Sequence, residues 1–166
     1  MYLMAEELDR ADSISEIFRV VETVILRKLG KHRPVMLGVA EMGMRGELVI
    51  GAFHPVGSTL IVLNKTPLER ISKASSRRLF NAYCFHMLLH EYLHSLGMLD
   101  ERDVRRMVYE ISREFLGPEH PATVMSSRGV THYFPFITYP APGENAPNLK
   151  IEIVKDFTQQ SVTYFS

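Results

Sequence analysis

The feature that most constrains the fold is a nearly continuous helical pattern that extends from Ser75 to Leu96. Its apolar residues lie on more than one face of a helix instead of forming a single stripe. A helix that is apolar around most of its circumference has to be surrounded by protein, because exposing such a surface to water is unfavourable. We therefore predict that this helix runs through the centre of the domain. Its apolar residues are Leu79, Phe80, Tyr83, Phe85, Met87, Leu88, Leu89, Leu93 and Leu96.

Further helices are predicted on both sides of this central one. A capping-box pattern at residues 13–16 is followed by apolar residues at helical spacing, which end at Gly30. Thr66 and Pro67 begin a second helical region that leads into the central helix. The segment from Asp100 to Leu116 carries acidic residues first and is followed by a glycine, which is typical of a helix with a defined start and stop.

Short runs rich in Val, Ile and Leu predict a small sheet. The three runs PVMLGVAEM, ELVIGAF and STLIVLN are separated by glycine-bearing turns, and LKIEIVKDF forms a late fourth run. We expect an α+β fold in which a small, mixed, twisted sheet packs on the central helix. A single domain is expected over residues 1–166, with a proline-rich C-terminal segment over 118–166. The stretch 126–148 is long enough to suggest a functional or covering loop.

Composition excludes several classes of protein. Lysine plus arginine and aspartate plus glutamate both total 19, so no net charge attracts nucleic acid or an anionic membrane. Cys84 is the single cysteine, and no run of about 18 apolar residues could span a bilayer. The first residues are acidic, unlike the basic start of a secretory signal. We expect a soluble cytoplasmic protein that binds neither nucleic acid nor membrane; the sequence leaves its oligomeric state open.

The central helix contains the motif HEYLH at its C-terminal end. His90 and His94 lie one helical turn apart, so their imidazoles point the same way and can hold one zinc ion. Glu91 lies one position further round, where it can reach a water molecule on the metal without binding the metal. Catalytic zinc activates such a water, and a nearby carboxylate accepts the proton. His86, one turn earlier, is expected to be a buried or supporting group.

A third zinc ligand is expected from the chain that follows. Gly97 allows a sharp turn, and Asp100 then lies ten residues after the first histidine, which is the spacing of the third ligand in HExxHxxGxxH proteins. Aspartate is also a favoured N-cap, and in that case the ligand would come from the following helix. We rank Asp100 first, Glu110 second and Glu114 third, with Asp103 as a further candidate.

The pattern from His90 to Asp100, HEYLHSLGMLD, resembles the zinc motif of the metzincin metallopeptidases, with aspartate as third ligand as in their snapalysin-like members. A downstream glutamate would instead be similar to the gluzincins. The resemblance implies a methionine turn beneath the metal, which Met125 matches by position. It also implies that the strand from Leu60 to Asn64 is a sheet edge that pairs with an extended peptide substrate.

The leading prediction is therefore a zinc-dependent peptidase that acts on peptides or unfolded proteins, with Glu91 as general base. Tyr133 and Tyr139 are weaker candidates for donors to a tetrahedral oxyanion. An alternative is a metal-dependent endoribonuclease that resembles the YbeY rRNA-maturation family, whose HGxLHLxGYDH motif has the same ligand span. That family lacks a glutamate at the position of Glu91. Another alternative is a non-catalytic zinc-binding module, or one in which the C-terminal segment covers the cleft.

Overall fold

The computed structural model describes residues 2–42, 51–55, 57–137 and 151–154. Within these ranges the chain forms six α-helices, a short 3₁₀ helix at Val130–His132 and four strands. The strands are short and lie mostly in the first half of the chain. In chain order the elements are α1 Leu3–Arg10, α2 Ile14–Leu29, β1 Met36–Ala40, β2 Ala52–Phe53, β3 Leu60–Asn64, α3 Lys65–Ala74, α4 Arg77–Ser95, α5 Glu101–Leu116, α6 Pro121–Arg128 and β4 Glu152–Val154.

The strands form one mixed sheet in the order β2-β3-β1-β4. β1 and β3 are parallel, with Met36 opposite Leu60, and the two outer strands are each antiparallel to their neighbour. The α+β class is therefore confirmed. β3 is paired on both sides, because Ala52 of β2 lies opposite Leu63. The edge position implied for this strand was wrong, since the preceding run folds back along it as β2.

α4 is the central helix that the sequence predicted. It contacts the other five helices and also β2 and β3. Side chains on more than one face are fully buried, among them Tyr83, Phe85, Leu89 and Tyr92. Because this helix is enclosed over most of its length, its position relative to the rest of the core is closely defined.

The C-terminal half of α4 is also fixed by polar contacts to the segment before β1. The Tyr92 hydroxyl accepts a hydrogen bond from the Arg33 backbone N–H at 3.0 Å and donates one to the Arg33 carbonyl at 3.2 Å. The Arg33 guanidinium donates to the Ser95 carbonyl near the end of the helix. The Tyr92 ring meets Phe18 of α2 edge to face. Together these contacts hold the last turns of α4 against α2.

Two helices were not anticipated. α1 is only eight residues long, and α6 begins at Pro121, inside the segment described from the sequence as proline-rich. Proline at the first helical position is favourable because its missing N–H would have no partner there. The His120 ring caps α6 by accepting from the Ala122 N–H at 3.1 Å. In the described part of the chain, no helix has both the length and the apolar character needed to cross a bilayer.

Candidate metal centre

His90 and His94 lie side by side on the last turns of α4. Their rings are 4.9 Å apart between centroids, and their Nε2 atoms are separated by 3.2 Å. Both side chains are mostly buried, with 21% and 16% exposed. The four-residue spacing in a regular helix produces this arrangement, as the sequence predicted.

The turn after α4 is defined by Gly97, which has a φ of 101°. The Gly97 N–H donates to the His94 carbonyl, and the Met98 N–H donates back to the Leu93 carbonyl. These two bonds form a Schellman motif, which favours glycine because a side chain is strained at positive φ. The motif reverses the chain and brings the start of α5 back toward the two histidines.

The same turn orients the second histidine. The Nδ1 atom of His94 lies 2.9 Å from the Met98 carbonyl oxygen. A carbonyl can only accept, so Nδ1 carries the proton and Nε2 of the neutral ring is left with its lone pair. That lone pair points into the group formed with His90, which is the arrangement of a metal-binding histidine supported by an outer partner.

Glu101, the first residue of α5, completes the group. Its Oε1 atom is 2.5 Å from His94 Nε2, and its Oε2 atom is 3.2 Å from His90 Nε2. One ligand atom from each residue lies within 4.8 Å of the others, and no other group of three His, Cys, Asp or Glu residues in the described ranges does so. Glu101 was not among the third ligands predicted from the sequence, although it is adjacent to Asp100, the residue ranked first.

The distances in this group suit zinc. Tetrahedral zinc with nitrogen and oxygen ligands at about 2.0–2.1 Å holds those ligand atoms about 3.3 Å apart. His90 Nε2 lies at nearly this distance from both His94 Nε2 and Glu101 Oε2. The 2.5 Å contact between His94 Nε2 and Glu101 Oε1 is shorter than this spacing, so a bound metal ion would have to separate these two atoms. Two imidazoles and a carboxylate are also a ligand set that catalytic zinc sites use.

Asp100 is the N-cap of α5. Its Oδ1 atom accepts from the Arg102 N–H at 2.8 Å and from the Asp103 N–H at 3.1 Å. Its carboxylate is therefore used to satisfy backbone groups at the helix start, and it is not part of the group of three. Its role as third ligand stays a prediction.

The other candidates for a third ligand lie elsewhere on α5. Asp103 forms an ion pair of 2.7 Å with Arg106. Glu114 forms one of 2.7 Å with Lys28 of α2, and Glu110 is exposed and also acts on the charge of Lys28. None of these carboxylates belongs to the group formed by the two histidines and Glu101.

Burial and charge set the protonation of the site. Burial raises the pKa of Glu91 to about 7; His94 opposes this shift and Glu101 adds to it. Burial lowers the pKa of His90, with Glu101 opposing and both His94 and Arg105 adding to the effect. Burial acts to raise the pKa of Glu101, but the two imidazoles outweigh it and lower that pKa overall. At neutral pH these shifts favour a neutral His90 beside an ionised Glu101, which are the forms that bind a metal.

The remaining candidates are dispersed. Met125 is buried inside α6, so the methionine turn implied by the metzincin resemblance is not formed there, because the segment is helical. Tyr133 packs partly buried against the core, with its ring 5.0 Å from His132. Tyr139 and the segment 138–148 lie outside the described residues. His86 is half-buried, and its Nδ1 atom is shielded from solvent without a partner among the described residues.

No protein family model, curated protein or solved structure matches the chain.

Proposed function

We propose that the protein is a zinc-dependent peptidase of the zincin type that hydrolyses peptides or unfolded proteins. The observation that carries the proposal is the convergence of His90, His94 and Glu101 at the end of a buried helix, with the Glu91 carboxyl beside them. Two histidines and a carboxylate would leave the fourth coordination position of a zinc ion for water or substrate. The HExxH spacing supplies both the ligands and a separate base.

Each side chain has a distinct role in this mechanism. His90, His94 and Glu101 would hold the metal, which would act as a Lewis acid toward water and the substrate carbonyl. Glu91 accepts the proton from the attacking water and passes it to the amine that leaves. The Met98 carbonyl keeps His94 in the tautomer that presents Nε2. Burial of the helix around these groups limits their freedom to move, which favours a constant geometry.

The test separates metal binding from proton transfer. We expect about one zinc per chain in the purified protein, and its loss in His90→Ala and His94→Ala. Glu91→Gln should keep the zinc but lower peptide hydrolysis by about 10²–10⁴-fold, because it removes the base and preserves the shape of the side chain. Glu110→Gln, on an exposed part of α5, is the matched control and should retain both.

Two results would contradict the proposal. Undiminished hydrolysis by Glu91→Gln would exclude the assigned base. Zinc bound by wild-type protein that hydrolyses no peptide would indicate a metal-binding module instead of a peptidase.

A further inference from the structure

An arginine lies beside the candidate metal centre without belonging to it. Arg105 is one helical turn after Glu101 on α5, and its Nε atom is 3.9 Å from Glu101 Oε2. Oε2 is the same oxygen that contacts His90 Nε2. The Arg105 side chain is 67% exposed, so its guanidinium borders both the site and solvent.

The neighbouring arginine provides a comparison. Arg106 is similarly exposed, at 61%, but its Nη2 atom forms a 2.7 Å hydrogen bond to Asp103 Oδ1. The 3.9 Å contact of Arg105 is longer than a hydrogen bond and uses none of the five N–H donors of the guanidinium. The guanidinium of Arg106 is thus hydrogen-bonded to a carboxylate of its own helix. The guanidinium of Arg105 makes only a longer electrostatic contact with Glu101, next to the metal centre.

The position of Arg105 is unfavourable for metal binding. A positive charge near a divalent cation opposes its binding, and the charge of Arg105 already acts on His90. An exposed ion pair at this spacing on a helix contributes little to stability. A cation beside a zinc site is favourable when an anionic group of the substrate has to be held there, since its charge then adds to that of the metal.

We propose that Arg105 binds a carboxylate of the substrate next to the scissile bond, an inference that rests on the proposed peptidase function. The planar guanidinium matches a carboxylate through two parallel N–H to oxygen bonds. The carboxylate has two sources in a peptide: an Asp or Glu side chain, or the free C-terminus. Both offer the same chemistry to Arg105, and matched substrates distinguish them.

The first experiment measures preference by turnover. Zinc-loaded wild type, Arg105→Gln and the control Arg106→Gln are assayed on peptide pairs that differ by Glu against Gln beside the scissile bond. A second pair differs by a free against an amidated C-terminus. We expect kcat/KM of Arg105→Gln to fall about tenfold on the charged member of one pair and to change little on its neutral partner. The responding pair identifies the source of the carboxylate. Arg106→Gln should behave as wild type.

The second experiment needs no turnover. Binding of a dipeptide hydroxamate, with either a free carboxylate or its amide, to the same zinc-loaded proteins is measured by calorimetry. Wild type should bind the carboxylate form about tenfold more tightly, and Arg105→Gln should lose this difference while keeping its zinc. If Arg105→Gln loses equal affinity for the charged and the neutral ligand, Arg105 only positions Glu101. If it loses no affinity, Arg105 has no role in binding. Either result would overturn this inference and leave the proposed function standing. Failure of wild type to bind zinc would overturn the proposed function together with it.

Discussion

The two halves of α4 carry different kinds of residue. From Phe80 to Leu89 seven of the ten side chains are apolar and buried, whereas the last turns present His90, Glu91 and His94, which are only partly buried. The first half supplies the contacts that fix the helix in the core. The second half places three polar groups at the margin of that core, where burial shifts the pKa values of His90 and Glu91. The part of the candidate site that α4 supplies is therefore confined to the C-terminal turns of a helix that packs in the core along most of its length.

The largest effect should come from the apolar half. Phe85→Ala removes a fully buried ring and leaves a cavity, which should lower the free energy of unfolding by about 3–5 kcal/mol. Urea denaturation with zinc removed measures this change. The control Leu26→Ala, at a side chain that is 53% exposed, should stay within about 0.5 kcal/mol. The zinc affinity of the folded Phe85→Ala protein should be unchanged. A loss of zinc affinity in this variant would show that the two halves of α4 do not act independently.

The next effect concerns the polar half. Glu101→Gln should weaken zinc binding at least about a hundredfold, or about 3 kcal/mol, because an amide oxygen lacks the charge of the carboxylate. Asp100→Asn should change the affinity much less, because asparagine also caps a helix. Competition with a chromophoric chelator measures both affinities. The reverse ranking would restore Asp100 as the third ligand.

His86 lies between the two halves and should make stability depend on pH. Burial, with a smaller contribution from His90, lowers its pKa to about 3 from 6.5 in the unfolded chain. Below about pH 6.5 the folded protein therefore binds fewer protons than the unfolded chain, and stability is lost as the pH falls. Between pH 6.5 and pH 5 the loss should be about 2 kcal/mol.

His86→Leu should remove this loss. Urea unfolding of metal-free wild type and variant at both pH values measures it. The raised pKa of Glu91 acts in the opposite direction, so the informative quantity is the difference between the two proteins. An unchanged pH dependence in His86→Leu would show that this ring is accessible to protons in the folded state.

The smallest effect should be the loss of a helix cap. Asp100→Ala removes the acceptor for two backbone N–H groups of α5 and should cost about 1 kcal/mol of stability. Chemical denaturation measures the change, and zinc stoichiometry should remain about one per chain. Loss of zinc from this variant alone would assign the carboxylate to the metal.

Much of the helical framework could be predicted from the sequence. The Ser13 cap of α2 and the turn at Gly97 follow from local patterns of a few residues, and the central helix follows from the apolar pattern between Ser75 and Leu96. The structure contains all three. The strands were predicted as segments, but their order was not, because pairing depends on contacts far apart in the chain. The placement of β3 inside the sheet is such a case.

The third member of the candidate site was missed because a spacing rule counts residues without their orientation. At the start of α5, Asp100 turns its short side chain onto the backbone, and the longer side chain of Glu101 reaches the histidines. The strong preference of aspartate for the N-cap was the one signal in the sequence that argued against Asp100 as the third ligand. α6 was missed because it begins inside the segment described only as proline-rich, although Pro121 occupies the first helical position, where proline is favourable.

Asn81 near the start of α4 links regions that are distant in the chain. Its side-chain N–H groups donate to the carbonyls of Leu8 and Ala11 at 2.8 and 2.9 Å, at the end of α1. An eight-residue helix is marginal by itself in water, so α1 gains much of its order only after α4 is in place. Closing a loop of about 70 residues for these bonds is slow compared with forming local turns. The N-terminal helix should therefore dock late in folding and be the first to exchange its amide hydrogens under native conditions.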